Sequence, residues 1–174
     1  MILLKRQYID LLKLMKLELL ESLRNSRSSL FKCDFTLLVE LVNLNDDIPG
    51  LSPLKPVPVW RRIVVSGGMN LAQLHDRVLV PAIGWVRNYH GYLFTDPKDG
   101  ALFGPEKCSA VDMMHMPRNG HTFCSDKEIK LAELIQSPGD FLLYVYDLGD
   151  YFRHRLTLEA VAAPDHSTGA VQLL

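Results

Sequence analysis

The chain has 174 residues, enough for one well-buried core and too few for two ordinary domains. With 48% hydrophobic and 22% charged residues it has the composition of a globular protein. Its net charge of −1 provides no global field to attract a nucleic acid or an anionic membrane. Nucleic-acid binding is therefore not expected from the bulk charge.

The cysteines Cys33, Cys108 and Cys124 are far apart and form no C-x-x-C pair. This spacing argues against a structural zinc site and against a disulfide framework. No apolar stretch reaches the roughly 20 residues that span a bilayer, and the first residues lack the pattern of a signal peptide. We therefore expect reduced thiols, no membrane span and an intracellular location, either cytoplasmic or nuclear.

Residues 2–24 are predicted to form a helix, and residues 25–29 a linker, so that 1–29 is an N-terminal helix with its connection. The apolar stripe of this helix is broad, which indicates that it docks on the domain or on a second copy of the chain. A membrane-surface or targeting helix is the alternative, although acidic residues argue against it. The stripe contains Leu4, Ile9, Leu12, Met15, Leu19 and Leu23.

Two strands are predicted next, from residues 35–44 and 60–65, joined by a proline-rich loop across residues 49–58. Alternation along the second strand places Trp60 on one face, which we expect to be core. It sends Arg61 and Arg62 to opposite faces, so they cannot grip one anion together. One of these arginines is expected to pair with a carboxylate such as Asp147 or Asp150.

Asn70, with Gln73 three residues later, matches a capping box that opens a second helix. Pro81 should kink or end this helix just before Gly84 and Trp85. Its inner stripe consists of Leu71, Leu74, His75, Val78, Leu79 and Ala82. A second capping-box match, Ser125 with Glu128, predicts a short helix that continues through Ile135.

Further strands are predicted at residues 89–95, 101–103, 141–146 and 152–161, and residues 163–174 are predicted to be a loose tail. Because short turns join several of these strands, the pairing should be largely antiparallel. The fold class is therefore α+β, with a mixed, largely antiparallel sheet and two or three packed helices, plus the N-terminal amphipathic helix.

The candidate functional cluster is His75, His90, Asp147, Asp150 and His154, because imidazoles and carboxylates can hold a divalent metal or supply an acid/base pair. Each histidine also has a structural interpretation. His154 alternates with leucines and should face inward opposite Val145, and His75 belongs to an apolar stripe. Asp147 and Asp150 flank Gly149 in a turn. The sequence contains no recognised catalytic or nucleotide-binding motif, and no cofactor is predicted.

The order of these motifs resembles the plasmid pRiA4b ORF-3-like domain family across about residues 34–162. The matching segments are Pro58 to Arg62, Leu71 to His75, Gly84-Trp85, Tyr89 to Phe94 and Tyr146 to His154. Tyr92 stands where the family pattern has the second histidine of a His-x-His strand. The sequence around Trp85 is most similar to versions from eukaryotic microbes that accompany a MYND-type zinc finger. Three scattered cysteines cannot build that finger here.

The resemblance implies an α+β fold and little about activity, since fold is not function. The leading hypothesis is a non-catalytic protein-interaction or scaffolding module that binds a partner, or itself, through the N-terminal helix. The alternative is a metal-dependent hydrolase or nuclease linked to mobile genetic elements that uses the His/Asp cluster. A third hypothesis, nucleic-acid binding through several arginines, requires them to share one exposed face. The sequence does not name a substrate or a partner.

Overall fold

The computed structural model describes residues 2–42, 59–106, 110 and 123–174, so the predicted loop at 49–58 lies outside the described residues. The helices are α1 (Ile2–Arg27), α2 (Leu71–Leu74), α3 (Val80–Ile83) and α4 (Leu131–Leu134). The strands are β1 (Asp34–Leu41), β2 (Trp60–Ser66), β3 (Tyr92–Thr95), β4 (Leu102–Gly104), β5 (Cys124–Ser125), β6 (Phe141–Tyr146), β7 (Phe152–Val161) and β8 (Gln172–Leu173). Short 3₁₀ turns occupy Ser28–Lys32 and Pro164–His166.

All the strands belong to one sheet with the order β5-β4-β3-β6-β7-β1-β2-β8. Every pairing is antiparallel except that of β4 with β5. The predicted α+β class and mixed, mostly antiparallel sheet are therefore confirmed. None of the helices in the described ranges combines the length and apolar character that a membrane span requires.

One face of the sheet carries the core. Alternate residues of the central strands, such as Leu37, Tyr144 and Leu156, are fully buried there against α2, the turn that follows it, and α4. On β2 the buried residues are Ile63 and Val65. The core therefore lies on the opposite face from the one predicted.

Trp60 is not a core residue, because it projects from the other face of β2 with 48% of its surface exposed. The guanidinium of Arg62 lies 5.7 Å from the centroid of its ring. Alternation separated the two faces of the strand correctly but could not say which face the helices cover.

The helix after β2 begins as its sequence predicts. The Asn70 side chain accepts a hydrogen bond from the N–H of Gln73, and the Gln73 side chain accepts one from Asn70, which completes the capping box. A π-helical turn over His75–Leu79 then widens the helix just before Pro81, a residue with no N–H to donate. The helix ends before Gly84, whose φ of 91° is left-handed.

The second predicted capping box is wrong in position. Ser125 lies in β5, and the next helix, α4, begins only at Leu131. The N–H of Lys130 donates to the carboxylate of Glu133, so the helix start is fixed five residues later than Ser125 suggested. Ser125 instead continues the parallel pairing of β5 with β4.

The C-terminal segment differs from the loose tail that the sequence predicted. The backbone N–H groups of Thr168 and Gly169 donate to the carboxylate of Asp34 at 2.7 and 3.1 Å. The chain then adds β8 to the edge of β2, with Leu173 opposite Ile63. The sequence pattern did not predict this pairing, because the pairing depends on backbone groups and on one carboxylate distant in sequence.

Candidate functional site

The structure divides the predicted His/Asp cluster into two groups. His75 and His154 are buried on the core face of the sheet, with 3% and 2% of their surfaces exposed. His90 and Asp147 form a pair at the end of the β6–β7 hairpin, and Asp150 is exposed in that hairpin's turn. Among the residues that the structure describes, no group of three or more His, Cys, Asp or Glu side chains could hold a metal ion.

His75 belongs to a buried polar chain that crosses the core. Its Nδ1 is hydrogen-bonded to the hydroxyl of Tyr144 at 3.0 Å, and its ring stacks on Tyr92 with centroids 3.4 Å apart. The Tyr92 hydroxyl donates to Oδ2 of Asp126 at 2.5 Å. Tyr92 thus joins the π-helical turn to β3 and the loop after β5.

Burial determines the protonation states of the side chains in this buried polar chain. Desolvation, assisted by the positive charge of Arg87, lowers the pKa of His75 to about 3. Desolvation also raises the pKa values of Tyr92, Tyr144 and Asp126, and the hydrogen bond from Tyr92 only partly offsets the effect on Asp126. His75 is therefore neutral near pH 7 and unsuited to act as a cationic acid.

His154 is opposite Tyr144 across the β6–β7 pairing, and not opposite Val145. The predicted inward orientation is confirmed, and the register is shifted by one residue because the turn begins after Tyr146. Within the described residues both ring nitrogens lack a hydrogen-bond partner, as does Nε1 of Trp85, whose ring meets His154 edge-on at 5.9 Å. Desolvation, partly offset by the nearby carbonyls of Tyr144 and Phe152, lowers the pKa of His154 to about 4.

The contact between His90 and Asp147 stabilises the turn of the β6–β7 hairpin. Nε2 of His90 lies 3.3 Å from Oδ2 of Asp147, and Oδ1 of Asp147 accepts the N–H groups of Gly149 and Asp150. Left-handed φ angles occur at Asn88, Asp147 and Tyr151, all around this pair. Turn chemistry therefore explains the Asp147 side chain, and Asp150 contributes its backbone N–H to the same turn.

Arg61 and Arg62 lie on opposite faces of β2, as the alternation predicts. Arg62 makes a bidentate pair with Glu159, at 2.6 and 2.9 Å, so one arginine does pair with a carboxylate, and the partner is Glu159 and not Asp147 or Asp150. The Nε of Arg61 donates to the carbonyl of Ala82 at 3.0 Å. Both guanidinium groups are therefore used inside the fold.

The inner face of α1 is fastened to the domain. Leu20 is buried in the core, and the Lys16 ammonium contacts carboxylates of Asp96 and Asp99 at 2.7 and 2.6 Å. Farther along, Nε of Arg24 lies 2.5 Å from Oε1 of the fully buried Glu133. The guanidinium of Arg27 donates to the Glu133 carbonyl.

The outer face of α1, together with the flank that borders β4 and β5, exposes a set of apolar side chains, which we call the α1 ridge. The ridge consists of Leu11, Leu12, Leu14, Met15 and Leu19, each between 46% and 57% exposed. Leu11, Met15 and Leu19 follow one another at intervals of four residues and so form a continuous row along the helix. Beside this row, a cavity of about 530 Å³ separates α1 from β4 and β5.

The comparisons with known proteins place the fold and leave activity open. A family model described as plasmid pRiA4b ORF-3-like protein matches residues 50–173. The crystal structure of protein of unknown function MM3350 from Methanosarcina mazei Go1 is similar, with a TM-score of 0.57 and 21% sequence identity. That match covers 82% of this chain and 68% of the other, and it shows the fold alone. No curated protein matches the chain.

Proposed function

The chain belongs to the plasmid pRiA4b ORF-3-like family, and for this member we propose a non-catalytic role as a protein-interaction module that self-associates through the α1 ridge. The observation that carries this proposal is the exposure of apolar side chains on one face of a helix whose other face is anchored. Contiguous exposed apolar surface is typical of interaction sites.

The anchoring of α1 favours a ready-made contact surface. Because Lys16 and Arg24 hold the helix by charged contacts with the domain, the ridge is presented without first ordering a free segment. A preorganised surface loses less conformational entropy on binding than a flexible one.

The ridge also suits contact with a second copy of itself. Its row of three residues spaced four apart, centred on Met15, can pack against the same row of another α1 by ridges-into-grooves packing. Such a contact would be isologous, with the same residues contributed by both protomers. A symmetrical apolar contact of this kind requires no catalytic group.

The test is light scattering coupled to size-exclusion chromatography on the full chain over a wide concentration range. We expect a concentration-dependent dimer, and we expect the double variant Leu11→Glu/Met15→Glu to weaken association by about tenfold or more, since it buries unpaired charges in the contact. Asn25→Glu introduces one glutamate into α1 beyond the ridge and should associate like the wild type.

Two results would reject the proposal. One is a wild-type chain that stays monomeric at every concentration. The other is a dimer that the double variant leaves unchanged although its circular dichroism shows an intact fold.

A further inference from the structure

The cavity beside α1 has the dimensions and lining of a small-molecule site. Its volume of about 530 Å³ falls within the range of about 300–1,000 Å³ that ligand pockets occupy. Leu12, Met15 and Leu19 form the wall contributed by α1, and Leu102 and Phe123 contribute to the opposite wall. The walls are therefore largely apolar, with a few polar groups.

The charged groups of the cavity are not equivalent. Lys16 is already paired with both Asp96 and Asp99, and this group of one ammonium and two carboxylates has a net charge of −1. Hydrogen bonds from Lys16 and the Ala101 N–H outweigh desolvation and lower the pKa of Asp99, which keeps that carboxylate ionised. Lys13 also lines the cavity and forms no ion pair with any residue in the described ranges.

The remaining polar group of the cavity is uncharged. Cys124 contributes to the lining, and desolvation by burial raises the pKa of its thiol, so that the sulfur stays protonated near pH 7. Lys13 is therefore the cation of the described lining that no described carboxylate contacts, and it is available to pair with an anionic ligand.

We propose that this cavity binds a carboxylate amphiphile, with the apolar chain between α1 and β4 and the carboxylate at the Lys13 ammonium. Apolar walls favour the chain by removing its surface from water, and a charge-assisted hydrogen bond to Lys13 fixes the head group. The proposal goes beyond self-association, because it assigns a small ligand to the cavity that Leu12, Met15 and Leu19 of the ridge share with β4 and β5.

The test compares three ligands with the same twelve-carbon chain and different head groups: dodecanoate, dodecyltrimethylammonium and dodecanol. The two charged ligands are titrated into the full chain below their micellar concentrations and dodecanol below its solubility limit, with calorimetry for affinity and methyl NMR of Leu102 and Met15 for location. We expect dodecanoate to bind about tenfold or more tightly than the cation, with shifts at both methyl groups.

Two variants separate the head-group contact from the chain contact. Lys13→Glu should reverse the preference between the anionic and cationic ligands, whereas Lys32→Glu, the same change at an exposed site outside the lining, should leave it unaltered. Met15→Gln should weaken all three ligands, because it removes apolar wall from the cavity.

Equal affinity for anion and cation, an unchanged preference in Lys13→Glu, or binding that begins only at micelle formation would overturn the proposal. Since light scattering measures self-association without any ligand, failure of ligand binding would leave that result standing. Loss of self-association would equally leave the dodecanoate result standing.

Discussion

At the scale of single residues, the hydrogen bond between Tyr92 and Asp126 connects the buried carboxyl group to the rest of the polar chain. Asp126 is fully buried, and its other oxygen, Oδ1, has no partner within the described residues. The carboxyl group therefore depends on Tyr92 for the hydrogen bond at Oδ2.

Removing that hydroxyl should destabilise the fold. We expect Tyr92→Phe to lower the free energy of unfolding by about 1–3 kcal/mol, because it leaves a second buried oxygen unsatisfied and keeps the ring. Urea denaturation measures the change. The control is Tyr89→Phe, which removes a hydroxyl from an exposed ring. A Tyr92→Phe protein as stable as wild type would show that the hydrogen bond contributes nothing.

The two buried histidines should make stability depend on acid pH. Their folded pKa values, about 3 for His75 and about 4 for His154, lie below the unfolded value near 6.5. The unfolded chain therefore binds more protons between those limits, so their stabilising contribution is complete above pH 6.5 and is lost as the pH falls. Each histidine contributes a slope of about 1.4 kcal/mol per pH unit in that window.

The measurement is the free energy of unfolding between pH 7 and pH 4.5. His154→Phe should reduce the pH dependence of the unfolding free energy by the equivalent of about one proton. The variant keeps an aromatic ring at this position and removes the group that binds the proton. His166→Ala, at an exposed site, should not change the slope. An identical slope in His154→Phe would contradict a low folded pKa for His154.

The sequence predicted the inward orientation of His154, because its strand alternates with leucines. It did not predict Tyr144 as the partner of His75, since hydrogen bonds between distant elements leave no periodic signal. Asp126 was missed for a related reason: it follows a strand of two residues, too short to show alternation. These are tertiary contacts, which local patterns do not encode.

At the scale of elements, the attachment of α1 to the rest of the domain depends on Lys16. Replacement by methionine keeps an unbranched apolar side chain, one atom shorter, and leaves the buried carboxylate of Asp96 without its charged partner. We expect Lys16→Met to cost about 3 kcal/mol or more, the range for breaking a buried pair on one side.

Hydrogen exchange along α1, together with urea denaturation, checks this expectation. Exchange should accelerate between residues 10 and 27 in Lys16→Met. The matched change Lys13→Met removes a lysine that makes no ion pair within the described residues and should leave exchange unaltered. Equal protection in the two variants would mean that apolar contacts alone hold the helix.

Elements with strong local signals were predicted well. The Asn70–Gln73 capping box is present, and β6 and β7 have the predicted limits, because a run of β-forming residues meets turn residues at both ends. The weaker prediction at Ser125 failed because a serine followed three residues later by a glutamate also occurs in segments that are not helical. Pairing with β4 decided the structure there.

At the scale of the whole molecule, Asp34 connects the start of the sheet to the C-terminal segment. Asp34→Ala should lower the free energy of unfolding by about 1–3 kcal/mol, because the N–H groups of Thr168 and Gly169 lose their acceptor. Hydrogen exchange at Gln172 and Leu173 should accelerate in parallel. Asp165→Ala, which breaks only an exposed contact with His166, is the control.

The position of β1 in the sheet has a consequence for biosynthesis. β1 lies between β7 and β2, although β7 is made more than a hundred residues later along the chain than the first residue of β1. During synthesis on the ribosome, the edge of β1 that pairs with β7 therefore remains unpaired until residues 152–161 emerge. Completion of the sheet is then a late event, limited by the closure of a long loop and exposed in the meantime to pairing with other nascent chains.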